Sequence, residues 1–504
     1  MADKSRIVKN TLFMYIRMFI TVGISLYASR VIIDVLGVDN YGIYTIVGGV
    51  VLLISFLNVS FTNGFQRFLN FAVGKDDEQE ENEVFSNSII VSVLLAIIII
   101  LLLETIGLWF LNNKLSFPEG TIKVVNIVYQ ISIITFIINL FRAPYNALIL
   151  AHERFSFYAY ITIAESALKL IIIYLLLIIS INKLILYSLL VLSVSIITNL
   201  IFIIYCHYKI RQVRFHFHIN RNLVLRLSSF SGWNMMGSIA DIGYQQGTNM
   251  ILNVFCGVAY NATMGLAAQV KNVIYSFVTN LTIVSNPQII QSFATQNIKN
   301  FESLILQVSK FAFFLLLLIA VPVILNMDYI LNLWLETIPP DASKFCILML
   351  IYCMVDCFNG PLWTGAQAEG NIMVYQIISS SILLLNIPLS YVALKLNYAP
   401  SYIILIQICV CVICLIYRLM YLVKLKLISI YSYLRRTLLP SIAVSTIVIT
   451  VTLLLSINSS PLLNLISSTI ISSISCLMAV YYLGISINEK AKIKYYILKK
   501  FKHE

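Results

Sequence analysis

The chain is an almost unbroken series of apolar runs, each long enough to cross a lipid bilayer. In an α-helix that rises 1.5 Å per residue, about 20 apolar residues match the ~30 Å hydrocarbon core. Inside that core the backbone must satisfy its own hydrogen bonds, so such runs fold as helices. The predicted fold class is therefore an all-α polytopic membrane protein. The 504-residue sequence predicts about 14 transmembrane helices, near residues 11–35, 43–70, 87–111, 122–149, 159–180, 183–208, 228–256, 259–285, 304–333, 342–366, 371–395, 400–423, 437–457 and 462–486.

The composition excludes a soluble globular chain. Hydrophobic residues make up 60% of the sequence, charged residues make up 11%, and the mean hydropathy is +0.90. The loops are short, and the longest predicted connections are about 209–227 and 286–303. The sequence contains no Walker phosphate loop, GxSxG nucleophile elbow or metal-protease motif. We therefore expect a transporter rather than an enzyme, with no cofactor.

The formal net charge of +12 is distributed unevenly between the loops. With the N terminus in the cytoplasm, only Lys114, Lys123, Lys183 and Lys395 fall on the outer side, and the inner side collects most other Lys and Arg residues. This is the asymmetry of the positive-inside rule. It predicts that both termini are cytoplasmic, and it makes the positive charge a signal of orientation rather than of nucleic-acid binding. The first span is expected to be its own targeting signal.

Two stretches of the sequence recur at nearly the same offset. Residues 32–38 resemble residues 251–258 when one residue is inserted, and Pro144 stands to Tyr158 as Pro361 stands to Tyr375, 217 residues later. Both pairs indicate a duplicated bundle of spanning helices, which is typical of transporters.

Polar residues form a stripe along the seventh predicted span and a second stripe along the eighth. The first stripe contains Asn234, Ser238, Asp241, Gln245, Thr248 and Asn249, and the second contains Lys271, Tyr275, Thr282 and Asn286. Most neighbours in each set are three, four or seven residues apart, which places each set on one helix face. In one interpretation the stripes line a hydrophilic cavity, where Lys271 meets an anionic substrate and Asp241 binds or exchanges a coupling cation. In the other, Asp241 and Lys271 form a structural ion pair between adjacent helices.

Four arginines of the first half are candidate substrate contacts: Arg17, Arg30, Arg67 and Arg142. A charge at membrane depth is costly unless it faces water or a partner. Arg17 lies well inside the first span and is the preferred contact. Arg67 and Arg142 lie near the inner boundary, where they could instead snorkel. Arg30 precedes Asp34 by one helical turn, which makes a local ion pair plausible.

Three further acidic residues lie at membrane depth, and we interpret some as structural and others as functional. Glu165 and Lys169 are four residues apart in the favourable order, so we interpret them as a structural pair. Asp356 lies in the middle of a span in the second half and is a candidate coupling site. Glu104 is also within a span.

Two short motifs suggest metal or redox chemistry but lack the residues to support it. Cys411 and Cys414 have CxxC spacing inside a span without a second ligand pair, so we interpret them as small core residues. His216 and His218 lie in a basic loop without neighbouring acids or cysteines in sequence, which disfavours a metal site.

These residues resemble a known family. The likeness covers the length, the number of spans, the short loops and the repeat, and it is to bacterial polysaccharide exporters of the Wzx type. Those are O-antigen and capsule repeat-unit flippases of the multidrug/oligosaccharidyl-lipid/polysaccharide superfamily. The similar segments are Arg142–Phe155, Asn10-Thr11 with Tyr15 and Arg17, the turn from Gly37 to Tyr44, and Asn286-Pro287-Gln288 at the predicted end of span eight.

The resemblance implies two pseudo-symmetric six-helix lobes around a central cavity, with two further C-terminal helices. It places spans one, two, seven and eight along the cavity. We therefore predict an N-terminal lobe over residues 1–210, a C-terminal lobe over 211–426, and two final spans with a basic cytoplasmic tail over 427–504.

The resemblance also implies the substrate and the mechanism. An undecaprenyl-diphosphate-linked oligosaccharide would enter a cationic cavity, its lipid tail would stay in the bilayer, and the lobes would rock between inward and outward openings. The expected location is the bacterial cytoplasmic membrane. Because the sequence has no nucleotide site, the candidate driving forces are coupling to H⁺ or Na⁺, the membrane potential and the flux of new repeat units. Expected partners are membrane lipid, a polysaccharide polymerase and chain-length proteins, with the transporter functioning as a monomer.

Three other functions remain open at this point. A lipid II flippase of peptidoglycan synthesis would share the fold and a cationic cavity. A multidrug exporter more often has 12 spans and an acidic cavity. A membrane polysaccharide polymerase or ligase commonly carries a large outer loop, which this sequence lacks.

Overall fold

The structure is a computed structural model that describes residues 4–52, 54–113, 117, 120–177, 182–210, 213–335, 338–455, 460–485 and 490. All regular secondary structure within these ranges is helical. The helices of the first half are α1 Lys4–Leu36, α2 Val38–Leu52, α3 Ser55–Lys75, α4 Glu78–Leu102, α5 Leu108–Asn113, α6 Ile122–Ala151, α7 Phe155–Leu175 and α8 Lys183–Lys209.

The helices of the second half are α9 Arg221–Cys256, α10 Val258–Ala294, α11 Ile298–Leu325, α12 Met327–Trp334, α13 Ala342–Asp356, α14 Asn359–Glu369, α15 Met373–Leu384, α16 Asn386–Lys395 and α17 Tyr402–Lys424. The last helices are α18 Ile430–Tyr433, α19 Leu439–Leu455 and α20 Pro461–Ala479. Three π-helical segments continue neighbouring helices: π1 Leu103–Gly107, π2 Leu434–Leu438 and π3 Val480–Gly484.

This architecture confirms the predicted all-α polytopic fold. Within the described residues, ten helical segments are long and apolar enough to cross a membrane. The four other predicted spans are helical as well and correspond to α1, α2 with α3, α9 and α10. Of these, α1, α3 and α9 are clearly less hydrophobic than α8, α11 and α17.

The connection expected at 286–303 is wrong. Helix α10 continues through Pro287 to Ala294, and α11 begins at Ile298, so only three residues separate them. Proline removes one backbone hydrogen bond and normally ends or kinks a helix. Membrane helices tolerate proline because neighbouring groups satisfy the freed carbonyl, and α6 and α11 likewise contain Pro144 and Pro322.

The described chain divides into two compact units. Unit 1 comprises residues 1–239, 290–296 and 370–373, and unit 2 comprises 240–289, 297–369 and 374–504. In unit 1 a core that includes Phe65, Ile99 and Tyr129 joins α3, α4 and α6. In unit 2 a core that includes Phe345 and Cys353 joins α10, α11, α13 and α17.

The sequence repeat is also visible in the backbone conformation. Left-handed residues recur at offsets of 217 to 221: Gly37 and Gly257, Asp76 and Gln296, Gly120 and Asp341, and Glu153 and Gly370. Such φ values are uncommon outside glycine, so chance recurrence at a shared offset is improbable. Both members of the first pair separate the same two helices of each half, α1 from α2 and α9 from α10.

Candidate functional site

A cluster of charged and polar side chains lies within unit 2, at membrane depth. It is formed by α9, α10, the junction of α13 and α14, and α17. The charged members of the cluster are Asp241, Lys271, Asp356 and Arg418, and all four interact electrostatically with one or more of the others. Three of them were predicted from the sequence as site residues.

Asp356 lies where the helix is interrupted. Helix α13 ends at Asp356, and α14 begins at Asn359. The Asn359 side-chain amide donates to Asp356 Oδ1 at 3.3 Å, and the Cys411 thiol approaches the same oxygen at 3.7 Å. The Tyr275 hydroxyl lies beside this carboxylate as well. The structure therefore brings together two predicted residues, Asp356 and Tyr275.

Lys271 and Asp241 belong to the same cluster but do not form a direct ion pair. The Lys271 ammonium lies 4.9 Å from the centre of the Tyr352 ring, which is a cation–π geometry. The Asp241 carboxylate accepts a hydrogen bond from Gln245 Nε2 at 3.1 Å. No salt bridge within 4.0 Å joins the two charges in the described part of the chain, and they interact at longer range.

Arg418 is a member of the cluster that the sequence interpretation missed. Its Nη1 donates to the Asn359 carbonyl at 3.2 Å, and its Nε is buried without a hydrogen-bond partner among the described residues. The sequence signal was available, because an arginine inside the apolar α17 is costly unless it faces a partner or water.

The polar stripe of α9 is divided between the units. Asn234 is buried in unit 1, and its carbonyl accepts a hydrogen bond from the Ser238 hydroxyl at 3.3 Å. Ser238 also contacts Ser60 of α3 at 3.1 Å between the hydroxyl oxygens. Asp241 and Gln245 are exposed and belong to unit 2. Within the stripe, Asn234 is therefore a packed residue, whereas the side chains of Asp241 and Gln245 remain exposed.

The arginines of unit 1 are held by rings and a carboxylate. The Arg17 guanidinium lies 5.2 Å from the centre of the Tyr158 ring. Arg142 Nη1 forms a 2.9 Å salt bridge with Glu165, whose other oxygen accepts from Lys169 at 2.7 Å. The predicted pair of Glu165 and Lys169 is present, with Arg142 as a third member.

Arg67 is buried inside an aromatic cage in unit 1. Its guanidinium carbon lies 4.7, 5.1 and 5.5 Å from the ring centres of Phe68, Phe71 and Phe230. Gly370, at φ +95°, approaches the same guanidinium so closely that a Cβ atom would collide with it. Arg30 belongs to α1, but its side chain lies outside the described part of the chain.

The unit 2 cluster can perform two kinds of chemistry. Two carboxylates that are not saturated by ion pairs can take a proton or a monovalent cation. Two cationic side chains can bind an anion through charge-assisted hydrogen bonds. The groups share one electrostatic neighbourhood, so occupancy by a cation changes the affinity for an anion, and the reverse. No group of three or more His, Cys, Asp or Glu side chains with metal-site geometry occurs in the described ranges.

Comparisons with known proteins agree with this architecture. The profile of the family described as polysaccharide biosynthesis protein matches residues 7–293, and the profile described as MatE matches residues 235–392. No curated protein matches the chain.

Solved structures match over most of their length. A proline-to-alanine mutant of a MATE transporter has a TM-score of 0.74 at 15% identity, covering 84% of this chain and 97% of that one. An outward-facing multidrug resistance MATE transporter of the MOP superfamily gives 0.70 at 15%, covering 84% and 96%. A MOP superfamily transporter from Pyrococcus furiosus gives 0.69 at 15%, also covering 84% and 96%; reverse polarity of its binding pocket is described as suggesting a different function.

At these identities the structural likeness shows the fold alone, and the family rests on the sequence profile. That profile covers more than half of the 504 residues. The chain belongs to the polysaccharide biosynthesis protein family and is a multi-pass membrane transporter with the MATE-like fold of the multidrug/oligosaccharidyl-lipid/polysaccharide superfamily.

Proposed function

We propose that this transporter moves an undecaprenyl-diphosphate-linked oligosaccharide from the inner to the outer leaflet of the bacterial cytoplasmic membrane by alternating access. The translocated unit would serve O-antigen, and hence lipopolysaccharide, capsule or exopolysaccharide synthesis. Both termini would be cytoplasmic, as the distribution of Lys and Arg predicts.

The observation that carries this proposal is the environment of the Lys271 side chain. Its ammonium is half-buried at membrane depth, rests against the Tyr352 ring and has no salt bridge to any described acid. Asp241 offsets this charge only at longer range, and an ammonium without a close counter-charge is costly at membrane depth. A diphosphate would supply that charge, and Arg418 would add a second cation to the same cluster.

The two carboxylates would let a bound cation control how tightly the cluster holds the substrate, so that loss of the cation favours release of the substrate. While Asp241 and Asp356 are ionised, they compete with a diphosphate for the positive charge of Lys271 and Arg418. Binding of H⁺ or Na⁺ at a carboxylate removes that competition, so cation binding and substrate binding strengthen each other in this cluster. The membrane potential adds about 2.3 kcal/mol per charge and 100 mV to the available driving force.

The proposed substrate also implies where its lipid tail lies and which partners the transporter has. The polyprenyl chain would remain in the bilayer, while the sugars and the diphosphate would pass through a polar path. Membrane lipid, a polysaccharide polymerase and chain-length proteins would be the partners. The internal repeat makes a single chain sufficient for alternating access.

Two related functions share this fold. A lipid II flippase would carry the same diphosphate and differ only in the sugar moiety. A multidrug exporter would prefer cations, and Lys271 and Arg418 offset the two carboxylates of the unit 2 cluster, so the cluster is not the acidic site that such an exporter would need.

The proposal is tested by accessibility of position 271. Lys271→Cys is introduced into a variant that lacks the nine native cysteines. A membrane-impermeant thiol reagent is then added from either side of intact cells and of inverted vesicles. We expect labelling, because the cluster would be hydrated, and we expect protection by a polyprenyl-diphosphate oligosaccharide.

Competing ligands separate the alternatives in the same assay. Protection by lipid II alone would replace the proposed substrate with the peptidoglycan precursor. Protection by a lipophilic cation would favour drug export. A folded variant that is not labelled from either side would contradict a hydrated site at Lys271.

A further inference from the structure

A second polar cavity lies in unit 2, away from the residues of the charged cluster. Its volume is about 540 Å³, and it is enclosed by the first part of α11, by α18 with π2 and the start of α19, and by the end of π3. Its polar lining consists of Ser303, Gln307, Lys310, Tyr431, Arg435 and Arg436, with Ser432 beside them. None of these residues was assigned a role in transport.

The cavity is strongly cationic. Three of its lining side chains are basic, and no carboxylate occurs among the described lining residues. Arg435 Nη1 donates to the Tyr431 hydroxyl at 2.8 Å, which fixes one arginine in place. Arg436 is exposed and forms no hydrogen bond or salt bridge with the described residues. The nearby Glu302 is engaged, since it accepts from the Ser429 backbone amide at 3.0 Å.

The cavity also lies where three candidate membrane spans begin or end. It is bounded by the beginning of the span Ile298–Leu325, the beginning of the span Ile430–Leu455 and the end of the span Pro461–Gly484. These three ends lie on one side of the membrane, which the charge distribution predicts to be cytoplasmic. Anionic lipid phosphates are concentrated at that surface, and basic pockets between membrane helices bind them.

The local helix geometry supports a binding site at this cavity. Two of the three π-helical segments in the described chain border this cavity, and π2 contains both arginines. Single π-helical turns inside α-helices occur frequently at functional sites. On the opposite wall, Gly484 packs against Phe314 so tightly that an added Cβ atom would lie 2.7 Å from the ring. The π-helical segments and the close packing of Gly484 thus shape the lining of the cavity, and neither feature is required for two α-helices to pack.

We propose that this cavity binds the phosphate group of a membrane lipid in the leaflet that it faces. Arg435 and Arg436 would hold the phosphate by charge-assisted hydrogen bonds, and Tyr431, Ser303 and Gln307 would contact its ester oxygens or head group. The same chemistry is offered by two lipids: an anionic glycerophospholipid and a polyprenyl diphosphate. The proposal does not depend on the proposed transport substrate, because an anionic glycerophospholipid alone satisfies it.

The test measures lipid retention by the purified full-length chain in a neutral detergent, using native mass spectrometry with added phosphatidylglycerol and, as a zwitterionic control, phosphatidylethanolamine. The variant Arg435→Gln/Arg436→Gln removes two charges from the cavity. The matched control Lys424→Gln/Lys426→Gln removes two exposed charges, one at the last residue of α17 and one just after it, both outside the cavity. We expect the arginine variant to bind phosphatidylglycerol about tenfold more weakly or worse, and the lysine variant to bind it normally.

Equal retention by the arginine variant and the unchanged protein would overturn the proposal, as would equal losses in both double variants. Should the arginine variant fail to fold, Gln307→Phe fills the cavity from α11 without changing the charge, and the same loss is expected. Parallel titrations with a polyprenyl diphosphate and with inorganic pyrophosphate identify the source. Arginine-dependent retention of either lipid supports the site, whereas binding of pyrophosphate without either lipid contradicts a lipid site.

Discussion

Helix α6 of the first half continues through Arg142 and Pro144, whereas the corresponding helix of the second half is interrupted between Asp356 and Asn359. The correspondence follows from the offset of 217 residues that relates Glu153 to Gly370 after these helices. In the continuous helix, Arg142 is neutralised by Glu165. At the interruption, Asp356 is surrounded by neutral donors and has no salt bridge among the described residues.

The two halves therefore share the positions of their left-handed turns but differ in helix continuity and in the placement of their charges. By the same offset, Arg142 corresponds to Asn359, and Asp356 corresponds to Asn139. Each half thus has a charge where the other has an asparagine. The first half uses its charges to join α6 with α7, while the second half gathers Asp241, Lys271 and Arg418 near a helix break. We expect structural roles in the first half and transport roles in the second.

The largest effect is expected from Lys271→Gln. Loss of a charge-assisted contact worth about 1.5–3 kcal/mol should lower transport by roughly tenfold to hundredfold, with little change in the folded fraction. Transport is measured by translocation of a polyprenyl-diphosphate oligosaccharide in proteoliposomes. The matched control is Lys169→Gln, which removes an exposed, ion-paired lysine from the first half. Similar transport losses in both variants would remove the distinction between the halves.

Glu165→Gln should have the next largest effect, and on stability. It leaves Arg142 and Lys169 without their shared carboxylate. Breaking a buried ion pair costs about 3–5 kcal/mol, and partial exposure of Arg142 and Lys169 reduces this to about 2 kcal/mol. The measurement is the thermal unfolding midpoint in detergent.

Two variants give this stability prediction its controls. Glu104→Gln should be mild, because Glu104 accepts a hydrogen bond from Gln130 and has no salt bridge in the described chain. The double variant Arg142→Gln/Glu165→Gln should recover part of the loss, because it leaves no uncompensated charge at position 142. A double variant as unstable as the sum of the single variants would mean that the two residues do not interact.

Gly370→Ala should destabilise by a smaller amount, about 1–2 kcal/mol, because alanine at φ +95° is strained and its Cβ atom would displace Arg67 from the aromatic cage. The matched control is Gly232→Ala in α9, where nothing lies within 4 Å of an added Cβ atom and φ is helical. Thermal unfolding of both variants checks this. A loss at position 232 as large as that at position 370 would contradict a specific role for the cage.

Much of this fold is predictable from the sequence, because its signals are local. Apolar runs of fixed length determine the spans, and Glu165 with Lys169 follows from a spacing of four residues. The end of α10 was not predictable in this way. Proline usually ends a helix in water, but within a membrane protein tertiary neighbours decide whether the helix continues beyond Pro287.

The sequence analysis named three of the four charged residues of the unit 2 cluster but not their arrangement. The stripe of α9 identified Asp241, and depth identified Lys271 and Asp356. The inclusion of Arg418 depends on contacts between α14 and α17 that are 59 residues apart in sequence. The capture of Arg142 by Glu165, 23 residues away, likewise depends on helix packing. Sequence periodicity indicates which face of a helix is polar, whereas the partner of each charge is set by the neighbouring helix.

The smallest predicted effects test whether the two halves share a backbone independently of their charges. Asp76 and Gln296 are exposed, left-handed residues that follow α3 and α10 at φ 57° and 55°. Glycine adopts this conformation without a Cβ penalty, so Asp76→Gly and Gln296→Gly should each stabilise by about 0.5–1 kcal/mol. The ends of α3 and α10 pack closely just before these positions, where Gly74 faces Gln291 and Ala294, so the double variant is measured beside the two single variants to test coupling. A gain at one position and a loss at the other would show that the repeated φ angles serve different roles in the two halves.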